Sequence, residues 1–190
     1  MAREISSHEK AEQLMDLQEN VPFDKVIELL DLQGDEKIIE LGAQSGRLTL
    51  PLAKATKDRV MAVELDQELL EILEENARDQ GLNNIDRMPS GIDYLNFPDN
   101  SFQRGLAAFA FHQTDDLDKA TREIHRVINE QGKLVIVEWE QSEDEDGPPL
   151  DDRLPSEALK DKLQNTGFKV NSGSLSSNVY YIVADKVKEV

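Results

Sequence analysis

The sequence predicts an α/β fold in which a doubly wound, mostly parallel sheet of seven strands ends in an antiparallel hairpin. Short apolar runs alternate with segments of helical periodicity through residue 139, which is the order that parallel strands with crossover helices require. The first apolar run is followed directly by a turn that contains two glycines. The last two apolar runs are separated by a turn of Ser, Asn and Gly, so they are expected to pair as a hairpin.

Length and composition favour one globular domain. The chain has 190 residues, of which 38% are hydrophobic, enough to bury a substantial core. We expect residues 1–33 to form a helical segment that covers the sheet or a ligand, and residues 34–190 to form the α/β domain itself. The absence of cysteine excludes a disulfide scaffold and a Cys nucleophile, and the sequence shows no metal-ligand spacing.

Seven strands are expected from the apolar runs. In chain order they are 38–40, Arg59–Glu64 (RVMAVE), Ile85–Met88, Leu106–Phe111 (LAAFAF), Leu134–Val137 (LVIV), Phe168–Val170 and Val179–Val183. The run from Leu106 is apolar without interruption, as a central parallel strand should be. A loop rich in Pro, Gly, Asn and Asp is expected before it, over residues 89–103.

Helices are expected between the strands from apolar residues at helical spacing. Such residues are Ala11, Leu14, Met15 and Leu17 in a first short helix, and Leu69, Ile72, Leu73 and Ala77 in a helix over Gln67–Gln80. The expected N-caps are Asp24, Asp66, Asp115 or Asp116, and Ser156. The glycines expected to end helices or connections are Gly34, Gly81, Gly132 and Gly167.

The candidate ligand site lies at the carboxyl ends of the strands, where open α/β sheets bind their ligands. Gly42 and Gly46 allow a tight turn and a close approach of backbone amides to polar ligand atoms. Glu64 ends the second strand, where a carboxylate can accept hydrogen bonds from both hydroxyls of a ribose. Together, the glycine turn and the acidic residue predict a nucleoside site.

The spacing of the glycines discriminates between two kinds of nucleotide enzyme. The G-x-G-x-x-G pattern of nicotinamide-dependent oxidoreductases requires glycine at positions 42, 44 and 47, and this chain has Gln44 and Arg47. The spacing of Gly42 and Gly46 instead matches an E/D-x-G-x-G-x-G motif whose middle glycine is replaced. An oxidoreductase is therefore disfavoured, and the antiparallel hairpin at the end disfavours it further.

Five stretches between about Phe23 and Lys186 carry a resemblance to a known family. They are IIELGAQSGRLTLPLA, VMAVELDQELLE, LNFPDNSF, FAFHQTDDLDKATREIHRVINEQGKLVIVEW and GPPLDDRLPSEALKDKLQNTGFKV. In their order and spacing they resemble the class I S-adenosylmethionine-dependent methyltransferases, of the small type 11 methyltransferase group. The resemblance implies a Rossmann-like methyltransferase fold, S-adenosyl-L-methionine as the cofactor, and in-line transfer of a methyl group to an unidentified small-molecule substrate.

The resemblance also assigns cofactor contacts position by position. It implies that Glu40 organises the loop near the methionine amino group, that Glu64 holds the ribose hydroxyls, and that Leu65 packs on the adenine. The other implied contacts are Gly42, Ala43, Gln44 and Gly46 around the methionine and ribose, Gly91 and Ile92 beside the adenine, and Phe109 and Ala110 at the methionine end. His112 is implied to face the substrate.

Two positions depart from the family pattern at the cofactor. Gln44 stands where the middle glycine is usual. Gly91 stands where the family has an aspartate that accepts from the adenine amino group, and Asp93 is a candidate to replace it. These departures leave a second hypothesis open, a catalytically degenerate module on the same fold that binds the cofactor or regulates another protein.

His112 is the candidate catalytic residue. A general base is needed only when the nucleophile arrives protonated, and the alternative is that His112 is exposed or caps a helix. The acidic run from Glu138 to Asp152 is expected to be a solvated loop, with attraction of a cationic substrate as the alternative. Trp139 and Phe111 are expected to pack in the core, with the wall of a substrate pocket as the alternative.

Charge and hydropathy restrict the partners. The formal net charge of −18 disfavours nucleic acid, because its phosphates would be repelled. The longest apolar stretch is far too short to span a membrane, and the N-terminal residues lack the apolar core of a secretory signal. We therefore expect an acidic cytoplasmic protein with a small-molecule substrate and no membrane span, and a homodimer stays open.

Overall fold

The computed structural model describes residues 6–142 and 147–187. The first five residues of the predicted cover, part of the predicted acidic loop and the last three residues of the chain lie outside the described residues. Among the described residues, no helix combines the length and the apolar character that crossing a membrane requires.

The strands of the described part of the chain form a single sheet of seven members. In chain order they are β1 (Ile38–Leu41), β2 (Val60–Glu64), β3 (Ile85–Pro89), β4 (Phe102–Ala108), β5 (Ile128–Trp139), β6 (Phe168–Ser174) and β7 (Val179–Lys186). Their spatial order is β3-β2-β1-β4-β5-β7-β6. The first five strands are parallel, whereas β7 runs antiparallel to both β5 and β6. The predicted fold class is thereby confirmed, with the strand order reversing between β1 and β4.

Within residues 6–142 and 147–187, six α-helices accompany the sheet. They are α1 (Ser7–Leu17), α2 (Phe23–Leu29), α3 (Thr49–Ala55), α4 (Gln67–Asp79), α5 (Leu117–Val127) and α6 (Ser156–Asn165). Neighbouring residues of β1 face opposite layers, since Ile38 packs in a cluster with Val26 of α2 and Ile39 packs in a cluster with Ile124 of α5. Helices therefore cover both faces of the sheet, as a buried parallel sheet requires.

The fourth strand begins and ends earlier than predicted. The sequence pattern places it at 106–111, but β4 starts at Phe102, and the backbone amide of Gln103 donates to the carbonyl of Lys37 at 3.0 Å. The polar side chains of Gln103 and Arg104 interrupt the apolar pattern here, so hydropathy alone does not indicate that the strand has begun. The strand ends at Ala108 because Phe109 takes a left-handed conformation, with φ +55°.

The fifth strand is longer than predicted and contains an irregularity. It runs from Ile128 rather than from Leu134, and its register with β4 shifts between the pairs formed by Phe102 and Arg104. Gln131 has φ +67° at this point, and Gly132 lies inside the strand, so it does not end the connection as predicted. A β-bulge of this kind keeps a strand paired across a local insertion.

Two of the predicted N-caps are confirmed and two are wrong. The carboxylates of Asp66 and Asp116 accept backbone N–H groups in the first turns of α4 and α5. Asp24 is already inside α2, and Ser156 is the first residue of α6; each of these helices follows a proline instead. The closing hairpin is confirmed but longer than predicted, since β6 continues to Ser174.

Candidate active site

A cavity of about 330 Å³ opens at the carboxyl edge of the sheet, where the strand order reverses. Its size lies within the range of small-molecule sites. Eight of the predicted cofactor residues line it, namely Gly42, Gln44, Glu64, Leu65, Gly91, Ile92, Phe109 and Ala110. Segments after four different strands therefore converge on one cavity, as the pattern of strand ends predicted.

The other three predicted cofactor residues lie behind the wall of the cavity. Ala43 and Gly46 form the turn itself, where the Gly46 amide donates to the Ala43 carbonyl at 3.0 Å. Glu40 is only 1% exposed, and the hydroxyl of Thr49 donates to its carboxyl group. Burial raises the pKa of Glu40 to about 8, and the nearby charge of Glu64 contributes in the same direction.

The glycine turn lies against the end of β4. Gly42 has φ +76°, and a Cβ atom built on it would lie 2.9 Å from Cβ of Ala110 and 3.2 Å from the carbonyl oxygen of Ala108. The Gly42 amide donates to the carbonyl of Val63 at 2.9 Å, so the turn is also tied to β2. Only glycine fits this combination of left-handed backbone and close approach.

Glu64 holds the turn and the start of α4 together. One of its carboxylate oxygens accepts the backbone amide of Gln44 at 3.0 Å, and the other accepts that of Asp66 at 3.1 Å. Each carboxylate oxygen has a further lone pair, so the group can also accept from hydroxyls in the cavity. The residues present therefore fit a ribose at this point of the wall.

The far side of the cavity combines apolar and acidic groups. The side chain of Leu65 is 76% exposed, while Ile92 is buried. Asp93 also lines the cavity, and its carboxylate contacts the Lys119 ammonium at 3.2 Å. A Cβ on Gly91 would lie 2.9 Å from that carboxylate, so glycine at this position makes room for Asp93. This arrangement suits a flat base between apolar side chains, with an acidic acceptor beside it.

Helix α1 supplies lining residues that sequence reasoning missed. Lys10 and Leu14 line the cavity, and the Lys10 ammonium pairs with Asp66. A second contact joins the Gln18 side chain to the side-chain oxygen of Gln44 at 3.5 Å. No local pattern predicts these contacts, because they depend on how α1 docks against distant segments of the chain.

The ring of His112 meets a buried carboxylate of the neighbouring strand. Its Nδ1 lies 2.9 Å from an oxygen of Glu138, whose side chain is fully buried near the end of β5. Glu138 also accepts the backbone amides of Phe111 at 2.8 Å and Trp139 at 3.1 Å. The prediction that Glu138 belongs to a solvated loop is therefore wrong, because β5 continues through it into the core.

A second cavity, of about 510 Å³, lies beyond Trp139. It is bounded by Trp139, by α1 and by the turn between β6 and β7, including Asn178. The ring of Trp139 stacks on that of Phe109 with centroids 4.7 Å apart, and Phe109 lines the first cavity. The rings of Phe109 and Trp139 thus form an aromatic partition between the two cavities. Phe111 packs in the core, as predicted.

Tyr180 lies close to two acidic residues, Glu138 and Glu140. Its hydroxyl donates to the carbonyl of Leu154 at 2.9 Å. Burial raises the pKa of Tyr180 far above its ordinary value, and the charges of Glu138 and Glu140 add to this effect. Tyr180 therefore stays protonated and serves as a hydrogen-bond donor.

The chain is similar to known proteins in family, in sequence and in structure. A family model described as a methyltransferase domain matches residues 39–136. The chain is 26% identical over 127 residues to the uncharacterized methyltransferase YcgJ of Bacillus subtilis, which covers 67% of this chain and 49% of that protein. It is 28% identical over 122 residues to the ubiquinone/menaquinone biosynthesis C-methyltransferase UbiE of a Shewanella species, covering 63% and 49% respectively.

A solved structure is similar over nearly the whole chain. It is that of a SAM-dependent methyltransferase from Aquifex aeolicus, with a TM-score of 0.86, 22% identity, and coverage of 97% of this chain and 100% of that one. This likeness confirms the fold. The chain spans about half the length of the curated relatives it matches.

Proposed function

The chain belongs to the methyltransferase domain family, as a class I S-adenosylmethionine-dependent methyltransferase of the type 11 group, and on that premise we propose that it methylates a small-molecule acceptor. The observation that carries the proposal is the position of Glu64. Its carboxylate lies on the wall of the switch-point cavity, between the glycine turn and the first turn of α4. This is where a nucleoside cofactor presents its ribose hydroxyls in such folds.

Different residues of the cavity would contact different parts of the cofactor. Glu64 would accept from the ribose hydroxyls, Leu65 and Ile92 would flank the adenine, and Asp93 would accept from its amino group. Backbone groups of Gly42 and the segment after β4 would meet the methionine part. When bound, S-adenosylmethionine supplies a methyl group on a sulfonium sulfur, which leaves as a neutral thioether. The protein's task is then to align the acceptor and to exclude water.

We place the acceptor next to the methionine end of the first cavity, at the aromatic pair formed by Phe109 and Trp139. Phe109 lines the first cavity and Trp139 the second, and His112, which precedes the lining residue Gln113, is the candidate general base. Residues 1–33 act as a cover in this proposal, because α1 contributes Leu14 to the first cavity and Leu17 to the second. The charge of −18 favours a small acceptor over a nucleic acid.

The replacement of the middle glycine is compatible with catalysis. Gln44 has φ +50°, so it takes the left-handed backbone that glycine would take, and its side chain reaches Gln18 of α1. This contact gives Gln44 a part in holding the cover. A degenerate module is therefore not needed to explain the departure.

Calorimetric titration tests the cofactor assignment directly. We expect S-adenosylmethionine and S-adenosylhomocysteine to bind with micromolar affinity, and NAD not to bind. Binding of NAD in their place would contradict the proposal, and so would the failure of both sulfur nucleosides to bind.

A matched pair of variants tests the role of Glu64. Glu64→Ala removes the proposed ribose acceptor, and the loss of such hydrogen bonds, worth about 1–3 kcal/mol, should weaken S-adenosylhomocysteine roughly tenfold or more. Glu68→Ala changes an exposed carboxylate in the first turn of α4 and serves as the control. Equal affinity of Glu64→Ala and the parent protein would refute the ribose assignment.

A further inference from the structure

Both side-chain oxygens of Glu138 accept hydrogen bonds from backbone amides. One oxygen accepts the backbone amides of Phe111 at 2.8 Å and His112 at 3.2 Å. The other accepts the amide of Trp139 at 3.1 Å and lies 2.9 Å from Nδ1 of the His112 ring. The side chain of Glu138 is 0% exposed, so it is held in place by these groups rather than by water.

This arrangement determines which ring nitrogen of His112 carries the proton. Both oxygens of Glu138 already accept backbone N–H groups, which favours the acceptor-only carboxylate over a carboxyl group with its own proton. A carboxylate can contact Nδ1 only if Nδ1 donates. The neutral ring of His112 is then the tautomer with hydrogen on Nδ1, and the lone pair is on Nε2.

His112 and Glu138 each precede a residue that lines a cavity, although neither of the two is itself a lining residue. His112 is followed by Gln113, which lines the first cavity, and Glu138 is followed by Trp139, which lines the second. The His112 side chain is 12% exposed, whereas Glu138 has no exposed surface through which to meet a substrate. Within this pair, the ring of His112 is therefore the group able to exchange a proton with an acceptor.

We propose that Glu138 is a positioning residue that fixes His112 in the Nδ1–H tautomer, so that Nε2 takes the proton from an acceptor whose attacking oxygen or nitrogen atom carries one. The proposal rests on the methyltransferase function proposed above. The acceptor's electron pair forms the new bond to the methyl carbon, the carbon–sulfur pair remains with sulfur, and the acceptor's proton passes to Nε2. The acceptor in this proposal is therefore a hydroxyl or a neutral N–H group, which keeps an electron pair for the new bond and loses its proton to Nε2.

The tautomer is observed directly in long-range ¹H–¹⁵N correlation spectra of the imidazole rings. The chain contains three histidines, and a His112→Asn variant assigns the signals of the ring in question. At a pH at which the ring is neutral, we expect the wild-type spectrum to show a protonated Nδ1 and an unprotonated Nε2. Glu138→Gln should reverse this pattern, because its amide NH₂ group, in place of the oxygen nearest Nδ1, would donate to Nδ1 while its oxygen accepts the amides of Phe111 and His112.

Glu140→Gln is the matched control. Glu140 lies two residues further along the chain and accepts the amides of Gln141 and Ser156, so its replacement should leave the His112 tautomer unchanged. A residue with only a structural role would not change the tautomer of a neighbouring ring.

Two outcomes would overturn the proposal: hydrogen on Nε2 of the neutral wild-type ring, or the same tautomer in Glu138→Gln as in the wild type. The wild-type spectrum can contradict it alone, so the test survives a Glu138→Gln variant that fails to fold. The measurement needs no cofactor. Its failure is therefore distinguishable from failure of the calorimetric titration, which tests the methyltransferase assignment.

Discussion

Two buried glutamates lie near the carboxyl ends of two strands of the same sheet, and their surroundings differ. Glu40 on β1 is 1% exposed, and among the described residues its donor is the hydroxyl of Thr49. Glu138 on β5 is 0% exposed and accepts from three backbone amides and the ring of His112. Burial therefore raises the pKa of the first, whereas the oxygens of the second are occupied by backbone N–H donors.

The difference reflects how the two halves of the site are built. The β1 half depends on glycines and backbone amides, with a carboxyl group buried beneath the turn. The β5 half depends on a side-chain network that joins two neighbouring strands through Glu138. Changes at Glu138 should therefore act on the fold and on His112 together, while changes at the glycine turn should act through backbone geometry.

The largest expected effect is the loss of stability in Glu138→Ala. Three backbone amides and the His112 ring would lose their acceptor, and each buried unsatisfied donor costs about 1–3 kcal/mol, so we expect a loss of about 4 kcal/mol or more. Urea denaturation followed by circular dichroism measures it. Glu140→Ala, at a partly exposed carboxylate, should cost about 1 kcal/mol. Equal losses in both variants would remove the contrast between these carboxylates.

The next effect is a pH dependence that comes from Glu40. Burial raises its pKa to about 8, while in the unfolded chain it has its ordinary value of 4.5. Between these values the folded state keeps a proton that the unfolded state has released, so the free energy of unfolding falls as the pH rises. From pH 5 to pH 8 we expect a fall of roughly 2–4 kcal/mol from this group.

Glu40→Gln isolates this contribution, because a neutral amide replaces the neutral carboxyl group and can still accept from Thr49. The difference in stability between Glu40→Gln and the wild type should grow in favour of the variant as the pH rises from 5 to 8. Glu68→Gln, at an exposed glutamate, is the control and should follow the wild-type curve. A difference that stays constant over this range would show that Glu40 is ionised throughout.

The contrast between the β1 half and the β5 half also explains which features of the site could be predicted from sequence. The glycine turn and Glu64 were predictable because their spacing is local to one strand–turn–helix unit and its successor. The bond between His112 and Glu138 was not, because it forms only when β4 pairs with β5. The start of β4 was missed for a related reason: Gln103 is polar, yet its amide pairs with a neighbouring strand end. Prediction failed where tertiary pairing, rather than periodicity, decides a residue's surroundings.

A pair of glycine variants measures the backbone geometry of the β1 half. Gly42 and Gly81 have similar left-handed φ values, +76° and +69°, but a Cβ on Gly42 would lie 2.9 Å from Cβ of Ala110, whereas nothing lies within 4 Å of one on Gly81. Both Gly→Ala variants incur about 1 kcal/mol of backbone strain. Gly42→Ala should lose a further 1–2 kcal/mol, roughly, from the close contact. Equal losses in thermal denaturation would show that the turn does not need its approach to β4.

The smallest expected effect concerns Gln44, which has φ +50° and contacts Gln18 of α1. Gln44→Gly relieves about 1 kcal/mol of left-handed strain but gives up that contact, so we expect a net gain below about 1 kcal/mol. Gln131→Gly is the matched control, since Gln131 has φ +67° on the surface of β5 and should show the full gain. Because the Gln44 side chain reaches the cover, affinity for S-adenosylhomocysteine should change by less than about 1 kcal/mol in Gln44→Gly. A tenfold gain in affinity would instead show that this side chain obstructs the cofactor. Cofactor affinity in the β1 half would then depend on a side chain as well as on backbone geometry.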